Sequence, residues 1–415
     1  MGMNEKDLLT RQKETGRALL WTNLLNEPLF TLYGFLSFIL YKDLGASAFA
    51  ISLMMAMKPM VTILSFYWSA GLKGRAGKLK SNALWAGFLM RAPFLLCPWI
   101  DNLWFVIFAA VNYMFFYRAG IPAWLEILKR NMKEGKRERA FSWSSALSYA
   151  EGVVLSLGMG GLLDREPGLW KFLFFGAALV GIGSLWLLAR VKVEDLNDAP
   201  SPKLAMKELI VRPWRDSWEL MRKRPDFSYF QWGFMLSGFG IMLIQPVLPL
   251  LAVDWLGITY TEMAAAVSIA KGLGFSVSSP IWARWFERLP ILKISSAVFL
   301  SVGLFPILLA LSPFGLFWFY LAYFWYGVGQ GGSHLVWNMS GPIFAGKEES
   351  SRYTGVNVAM AGLRGTIGPG LGSLLAAFLG PIQVLCIGGL FCFYSGALLL
   401  KKISFTKKTT GDIGG

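Results

Sequence analysis

Runs of about twenty apolar residues recur along the whole chain, separated by short basic loops, and this recurrence limits what the chain can fold into. A helix of that length matches the hydrocarbon thickness of a bilayer, so each run is a candidate crossing. Of 415 residues, 55% are hydrophobic and only 16% are charged, with a mean hydropathy of +0.49. A soluble protein carries about 25% charged residues. The 45 glycines and 18 tryptophans agree with a membrane setting. Small residues let helices approach in lipid, and tryptophan favours the headgroup region.

The formal charge of +15 does not point to nucleic acid, because the bases fall in loops between apolar runs instead of forming one basic face. Cys97, Cys386 and Cys392 lie in or beside apolar runs without CxxC spacing, which reads as buried packing and no disulfide framework. Residues 1–17 are polar and mixed in charge, and the first apolar run is too long for a signal-peptide core, so it is expected to remain as the first crossing.

Hydropathy predicts an all-α membrane protein with twelve transmembrane helices in two pseudo-symmetric six-helix bundles. The expected spans are Ala18–Tyr41, Ala46–Ala70, Ser81–Cys97, Leu103–Ile127, Phe141–Leu163 and Leu169–Leu188 in the first half. In the second they are Phe227–Val253, Met263–Trp285, Ile291–Leu311, Phe314–Asn338, Tyr353–Leu379 and Ile382–Leu400. The domain plan is therefore a cytoplasmic N-tail (1–17), a first bundle (18–190), a cytoplasmic linker (191–226), a second bundle (227–400) and a C-tail (401–415).

Charge tests this plan independently. The N-tail, the even-to-odd loops and the C-tail hold 32 of the 40 Lys and Arg residues, while the opposite loops hold three, Lys42, Arg165 and Lys171. The positive-inside rule then puts both termini in the cytoplasm, in a multi-pass protein of the cytoplasmic (inner) membrane. The linker segment Lys203–Lys223 alternates Leu209, Ile210, Trp214, Trp218 and Leu220 with Arg212, Arg215 and Arg222. It is expected to lie as amphipathic helix on the inner leaflet, the alternative being a solvated linker.

The halves also align with each other. At offsets of 212 to 214 residues, Leu44-Gly45 meets Leu256-Gly257, Lys58 meets Lys271, and Trp68 meets Trp282. Arg75 meets Arg288, Pro93 meets Pro306, Arg139 meets Arg352, and Gly152 meets Gly365. A near-constant offset from the first helix pair to the fifth reads as an internal duplication.

Six plus six helices, both ends inside and a central cytoplasmic loop resemble the major facilitator superfamily. Its signature between the second and third helices is Gly-x-x-x-Asp-Arg-x-Gly-Arg-Lys. Here Gly71-Leu72-Lys73-Gly74-Arg75-Ala76-Gly77-Lys78 keeps Arg75, Gly77 and Lys78, with Gly74 in the acidic position. The second-half counterpart keeps Glu287-Arg288, with Pro290 where glycine is usual. Segment Arg352–Gly372 is similar to a motif of uncharacterised bacterial members. The resemblance implies a secondary transporter that works by alternating access and acts as a monomer. Helices 1 and 4 would line its cavity, helix 2 would lie beside helix 11, and helix 5 beside helix 8. Arg75, Gly77, Lys78, Glu287 and Arg288 would form the gating loops.

Ionisable residues inside spans cost roughly 2.5–3.5 kcal/mol each on insertion scales, so they are functional candidates. They are Glu27, Lys58, Arg91, Arg118 and Glu151 in the first half, and Lys271, His334 and Arg364 in the second. Under the repeat, Glu151 corresponds to Arg364, so the two halves carry opposite charges at one position. With the packing the resemblance implies, Glu151 would neutralise Lys271, while Lys58 and Arg364 would face each other as two cations needing an anion. Five bases against two acids favour an anionic solute, with Glu27 or Glu151 as proton carrier. Each residue also has a purely structural alternative, an internal salt bridge or a packing role.

The reading is a transporter for a small anionic solute, proton-coupled or exchanging. A multidrug or lipid exporter of the same fold is the nearest alternative, with aromatics such as Phe115, Phe116, Tyr117, Phe317, Trp318 and Tyr320 as its lining. A membrane enzyme acting on a lipid-linked substrate is a different class. The sequence contains no nucleotide-binding loop, no Gly-x-Ser-x-Gly and no metal-ligand spacing, so neither catalysis nor a cofactor or metal is expected.

Overall fold

Backbone groups in hydrocarbon have no water to bond, so each crossing must satisfy them internally. In a computed structural model, described over residues 5–70, 78–133, 136–193, 206–346, 348 and 350–411, the chain answers with helices, and no strand occurs among the described residues. The helices are α1 (Glu5–Lys42), α2 (Ala48–Ala70), α3 (Leu79–Leu89), α4 (Leu103–Asn131), α5 (Lys136–Arg165) and α6 (Trp170–Arg190). They continue with α7 (Met206–Lys223), α8 (Pro225–Ile244), α9 (Val247–Leu250), α10 (Tyr260–Ala264), α11 (Lys271–Arg288) and α12 (Ile291–Ala310). The last are α13 (Leu316–Ala345), α14 (Ser350–Leu379) and α15 (Pro381–Gly411). Single π-helical turns, Leu251–Trp255 and Ala265–Ala270, extend α9 and join α10 to α11.

Among the described residues, eight helical stretches are long and apolar enough to cross a membrane. They are Leu9–Lys42, Leu103–Asn131, Trp143–Arg165, Trp170–Arg190, Pro225–Trp255, Tyr260–Arg288, Ile291–Ala310 and Pro381–Lys401. The described apolar part of α2 is Ala48–Val61. Helices α13 and α14 have 30 residues each but are diluted by glycine and polar side chains. Large apolar side chains face outward all over the protein, including Trp99, Phe314 and Phe378. Such a surface is tolerable only where the surroundings are themselves apolar. Both tails also differ from the expected loops, since α1 begins at Glu5 and α15 continues to Gly411.

The third expected span, Ser81–Cys97, is not one helix. Pro93 has no N–H and disfavours helical backbone in the residue before it, so α3 stops at Leu89 and a 3₁₀ turn takes over at Ala92–Leu96. Arg91 N–H then bonds Phe88 O (3.0 Å) instead of Gly87 O. The Gly87 carbonyl so released accepts from the Arg91 side chain, Nη1 to O, at 2.5 Å.

Internal contacts divide the chain into two units. Unit 1 comprises residues 1–46, 61–203 and 259–261, and unit 2 comprises residues 47–60, 204–258 and 262–415. In unit 1, α1 packs on α5 and α6, and α3 on α4 and α6. One core cluster joins Ala18, Leu79, Ala83, Ala123, Ile127 and Leu188. In unit 2, α12 packs on α13 and α15, α8 on α14 and α15, and α11 on α13. A buried polar relay ties three of these helices. Gln231 of α8 donates to Asn357 of α14, whose Nδ2 donates to Ser340 Oγ of α13 at 2.9 Å.

One glycine pair carries the repeat into the backbone. Gly45 and Gly257 sit in the left-handed region at φ of 60° and 62°, where L side chains are strained. In both turns the next N–H reaches back six residues at 2.8 Å, Ala46 to Leu40 O and Ile258 to Ala252 O. Gly274 and Gly327 bring α11 and α13 into backbone contact, and a Cβ on Gly327 would overlap the Lys271 carbonyl oxygen. Gly327→Ala is expected to push the helices apart and to destabilise unit 2 by roughly 1–3 kcal/mol. Thermal unfolding in detergent should register this as a lower apparent Tm, whereas Gly176→Ala, where an added Cβ meets nothing, should leave it unchanged.

Candidate functional site

Unit 2 encloses a cavity of about 390 Å³ among α8, α12, α13 and α14. Phe234, Tyr326, Gln330, His334, Trp337 and Arg364 line it. Arg364 is the dominant charge. Its guanidinium carbon lies 4.1 Å from the centroid of the Phe234 ring, and Nη1 donates to the Phe234 carbonyl oxygen. The side chain lies flat against Gly238, where a Cβ would collide with Nη1, Cζ and Nε. Arg364 Nε is buried and donates to nothing. A guanidinium held this way gains cation–π attraction but lacks the acceptors that offset burial of a charge.

Lys271, half-buried at the start of α11, points its Nζ at the Tyr326 ring, 5.9 Å from the centroid, and Tyr326 hydrogen-bonds Gln330. His334, the sole histidine, is exposed to the cavity and stands edge-on to Phe275 at 5.7 Å. The described acids of unit 2 lie in α7 or at the ends of spans, so its interior is cationic. Within unit 2, no described carboxylate is in ion-pair range of Arg364 or Lys271. Lys58 also belongs to unit 2. It is half-buried beside Pro59, which closes on Gly365 of α14.

Unit 1 holds both intramembrane acids. Glu27 of α1 and Glu151 of α5 are within electrostatic reach of each other. Glu27 approaches the α5 backbone where Gly152 leaves room, its Oε1 being 2.6 Å from the place a Cβ would occupy. Asn23 Nδ2 donates to Ser144 Oγ at 2.7 Å and ties the same two helices. Arg91 is only 3% exposed. It bonds Gly87 O and Asn26 Oδ1 (3.0 Å) and packs against Gly181, so it joins α1, α3 and α6. A pocket of about 140 Å³ adjoins it. Arg118 is exposed and lies 6.0 Å from the Tyr117 ring centroid.

The expected gating residues are less informative. Arg75 and Gly77 fall outside the described residues, Lys78 precedes α3 without a side-chain capping bond, and Glu287 and Arg288 are exposed at the end of α11. Asp164, not singled out by its sequence, forms a polar latch inside unit 1. Its carboxylate accepts from Tyr260 N (2.7 Å), Thr261 N (2.9 Å) and Thr261 Oγ1 (2.7 Å), satisfying the start of α10. Lys42 Nζ lies 4.7 Å from the Tyr260 ring centroid.

The cavity residues Phe234, Gln330 and Trp337 were not legible in the sequence, because aromatics occur throughout the chain and none sits in a motif. Gly238 was equally silent. The one signal was indirect: an arginine in the middle of an apolar helix needs space and a partner in a neighbouring helix.

Multiple membrane-length helices around a charged interior cavity define a multi-pass membrane transport protein. The chain belongs to the Major Facilitator Superfamily, whose sequence model matches residues 28–363. Its fold is similar to that of a POT family transporter solved in complex with 5-aminolevulinic acid, with a TM-score of 0.69, 14% identity, and coverage of 95% of this chain and 96% of that one. The nucleoside transporter NupG gives 0.65 and 14%, over 93% and 99%. A bacterial homologue of the human lysosomal transporter Spinster gives 0.64 and 13%, over 96% and 99%. At these identities the likeness concerns the fold alone. No curated protein is significantly similar in sequence.

Two substitutions check the geometry. Gly238→Ala should drive the Arg364 guanidinium out of its cradle and reproduce the transport defect of Arg364→Ala, while Gly34→Ala, with open space for the Cβ, should not. Asp164→Ala removes the cap of α10 and should destabilise the latch by about 0.5–2 kcal/mol. Thermal unfolding would show this as a lower Tm, with Asp164→Asn retaining part of the loss.

Proposed function

We propose that the chain crosses the cytoplasmic membrane twelve times with both termini inside, and carries a small anionic solute by alternating access. The observation that supports this most is the unit 2 cavity, where Arg364 faces a cationic interior with no described carboxylate of that unit in range. A buried guanidinium without a counter-ion is costly, and a bound anion relieves that cost. Lys271 adds a second cation to the same interior.

Proton coupling is part of the proposal. Two carboxylates close together in low dielectric repel when both are charged, and a shared proton removes the repulsion. Glu27 and Glu151 provide that arrangement in unit 1. Arg91 takes a structural role in this scheme, since Nη1 and Nη2 bond Gly87 and Asn26 and its side chain packs against Gly181. The carrier works as a monomer, and needs neither metal nor cofactor. The solved relatives include transporters in complex with 5-aminolevulinic acid and with sulfate. Those ligands belong to those proteins, but they illustrate that this fold accommodates acidic solutes.

Proteoliposomes test the reading. Uptake of labelled organic anions should fall by about 10- to 100-fold in Arg364→Ala, the range expected for losing hydrogen bonds to a charged group. Glu27→Gln and Glu151→Gln should retain anion exchange but lose acceleration by an imposed pH gradient. Anion uptake indifferent to Arg364→Ala would overturn the anion site, and wild-type uptake indifferent to the gradient would remove proton coupling.

A further inference from the structure

Unit 2's cavity combines one charged edge with several aromatic faces, and this combination narrows the solute. Arg364 lies over the Phe234 ring, and the Trp337 ring, 5.7 Å from Phe234 and inclined to it by 37°, sets an aromatic surface beside the charge. Phe299 and Tyr326 line the same space. The volume of about 390 Å³ is larger than an inorganic anion or a short-chain acid needs. The polar groups that line it are few and come from neighbouring turns of α13 (Gln330, Ser333 and His334), with Ser237 on α8.

Arg364's donors are unequally used. Nη1 is committed to the Phe234 carbonyl, while Nε is buried and unpaired. Nε and Nη2 share the opposite edge of the guanidinium, which is the edge a carboxylate engages side-on with two parallel hydrogen bonds. Gly238 holds the plane of the group fixed. A carboxylate meeting the guanidinium from the cavity would carry its organic body past Trp337, where a flat π surface makes better contact than a puckered aliphatic ring.

We infer that this cavity is a binding site for planar aromatic carboxylates, with Arg364 holding the carboxylate and Phe234 and Trp337 stacking on the ring. The inference rests on the anion-transport reading and specifies its solute. Trp337 is the specificity-determining residue, because it contributes a face and no charge.

Equilibrium binding to the purified full-length protein tests both levels separately. The probes are naphthoate, its fully saturated decalin carboxylate, benzylamine and inorganic phosphate. Naphthoate should bind about 10-fold more tightly than the decalin acid, the order expected for aromatic stacking, and benzylamine and phosphate should bind more weakly than either. Trp337→Leu should bring the two carboxylates to within about twofold of each other without abolishing them. Arg364→Gln should weaken both by about 10-fold or more. Should that variant fail to fold, Arg364→Lys keeps the charge but loses the planar stack, and is expected to bind both acids with little preference. Equal binding of the two carboxylates by the wild-type protein overturns the aromatic inference and leaves the anion reading intact. Binding of benzylamine in preference to both acids overturns the two together.

Discussion

A polar group inside a bilayer has no water to fall back on, and almost every distinctive feature of this protein follows from that constraint. Backbone groups meet it by forming helices. Where a helix fails, as at Pro93, a side chain must substitute, and Arg91 supplies the donor that Gly87 O would otherwise lack. Buried amides meet the constraint by pairing across helices, as Gln231, Asn357 and Ser340 do. Arg364 meets it only in part: one donor is used, one ring face is covered, and Nε has no acceptor. Other buried polar atoms, Arg91 Nε and Glu151 Oε2 among them, share that incompleteness, and Arg364 differs from Arg91 in lining the larger cavity of unit 2.

The two units have taken a common ancestral pattern in opposite electrical directions. Their helix-ending turns are conformationally alike, with Gly45 and Gly257 at nearly the same φ. Their helix cores differ at Glu151 and Arg364, which correspond under the 213-residue offset. Unit 1 gathers two carboxylates, and unit 2 gathers cations with aromatic walls. The two units thus share a backbone device at the turn and differ in the charged side chains of their helices.

Glycine has a different task at each level. Gly274 and Gly327 let two helices touch backbone to backbone, which in lipid is a main source of helix association. Gly238 and Gly152 instead leave space for charged side chains, Arg364 and Glu27. The former pair shapes a bundle, and the latter positions chemistry. In the sequence these glycines look the same, since neither spacing nor neighbours distinguish a packing glycine from one that cradles a charge.

Apolar run length and loop charge were enough to identify a multi-pass helical membrane protein, because bilayer thickness and insertion energetics act on local sequence. They were also enough to find the intramembrane ionisable residues, whose cost depends on their being inside an apolar run. Local sequence could not reveal that the third span breaks around Arg91, because Pro93 permits either a kinked helix or a stop. Nor could it reveal which aromatic rings stand beside Arg364, that Asp164 secures Tyr260 and Thr261, or that Arg91 bonds Gly87 and Asn26. Those facts depend on which helices are neighbours and at what rotation. Such relations join residues as far as 130 positions apart, and only the packed tertiary structure determines them.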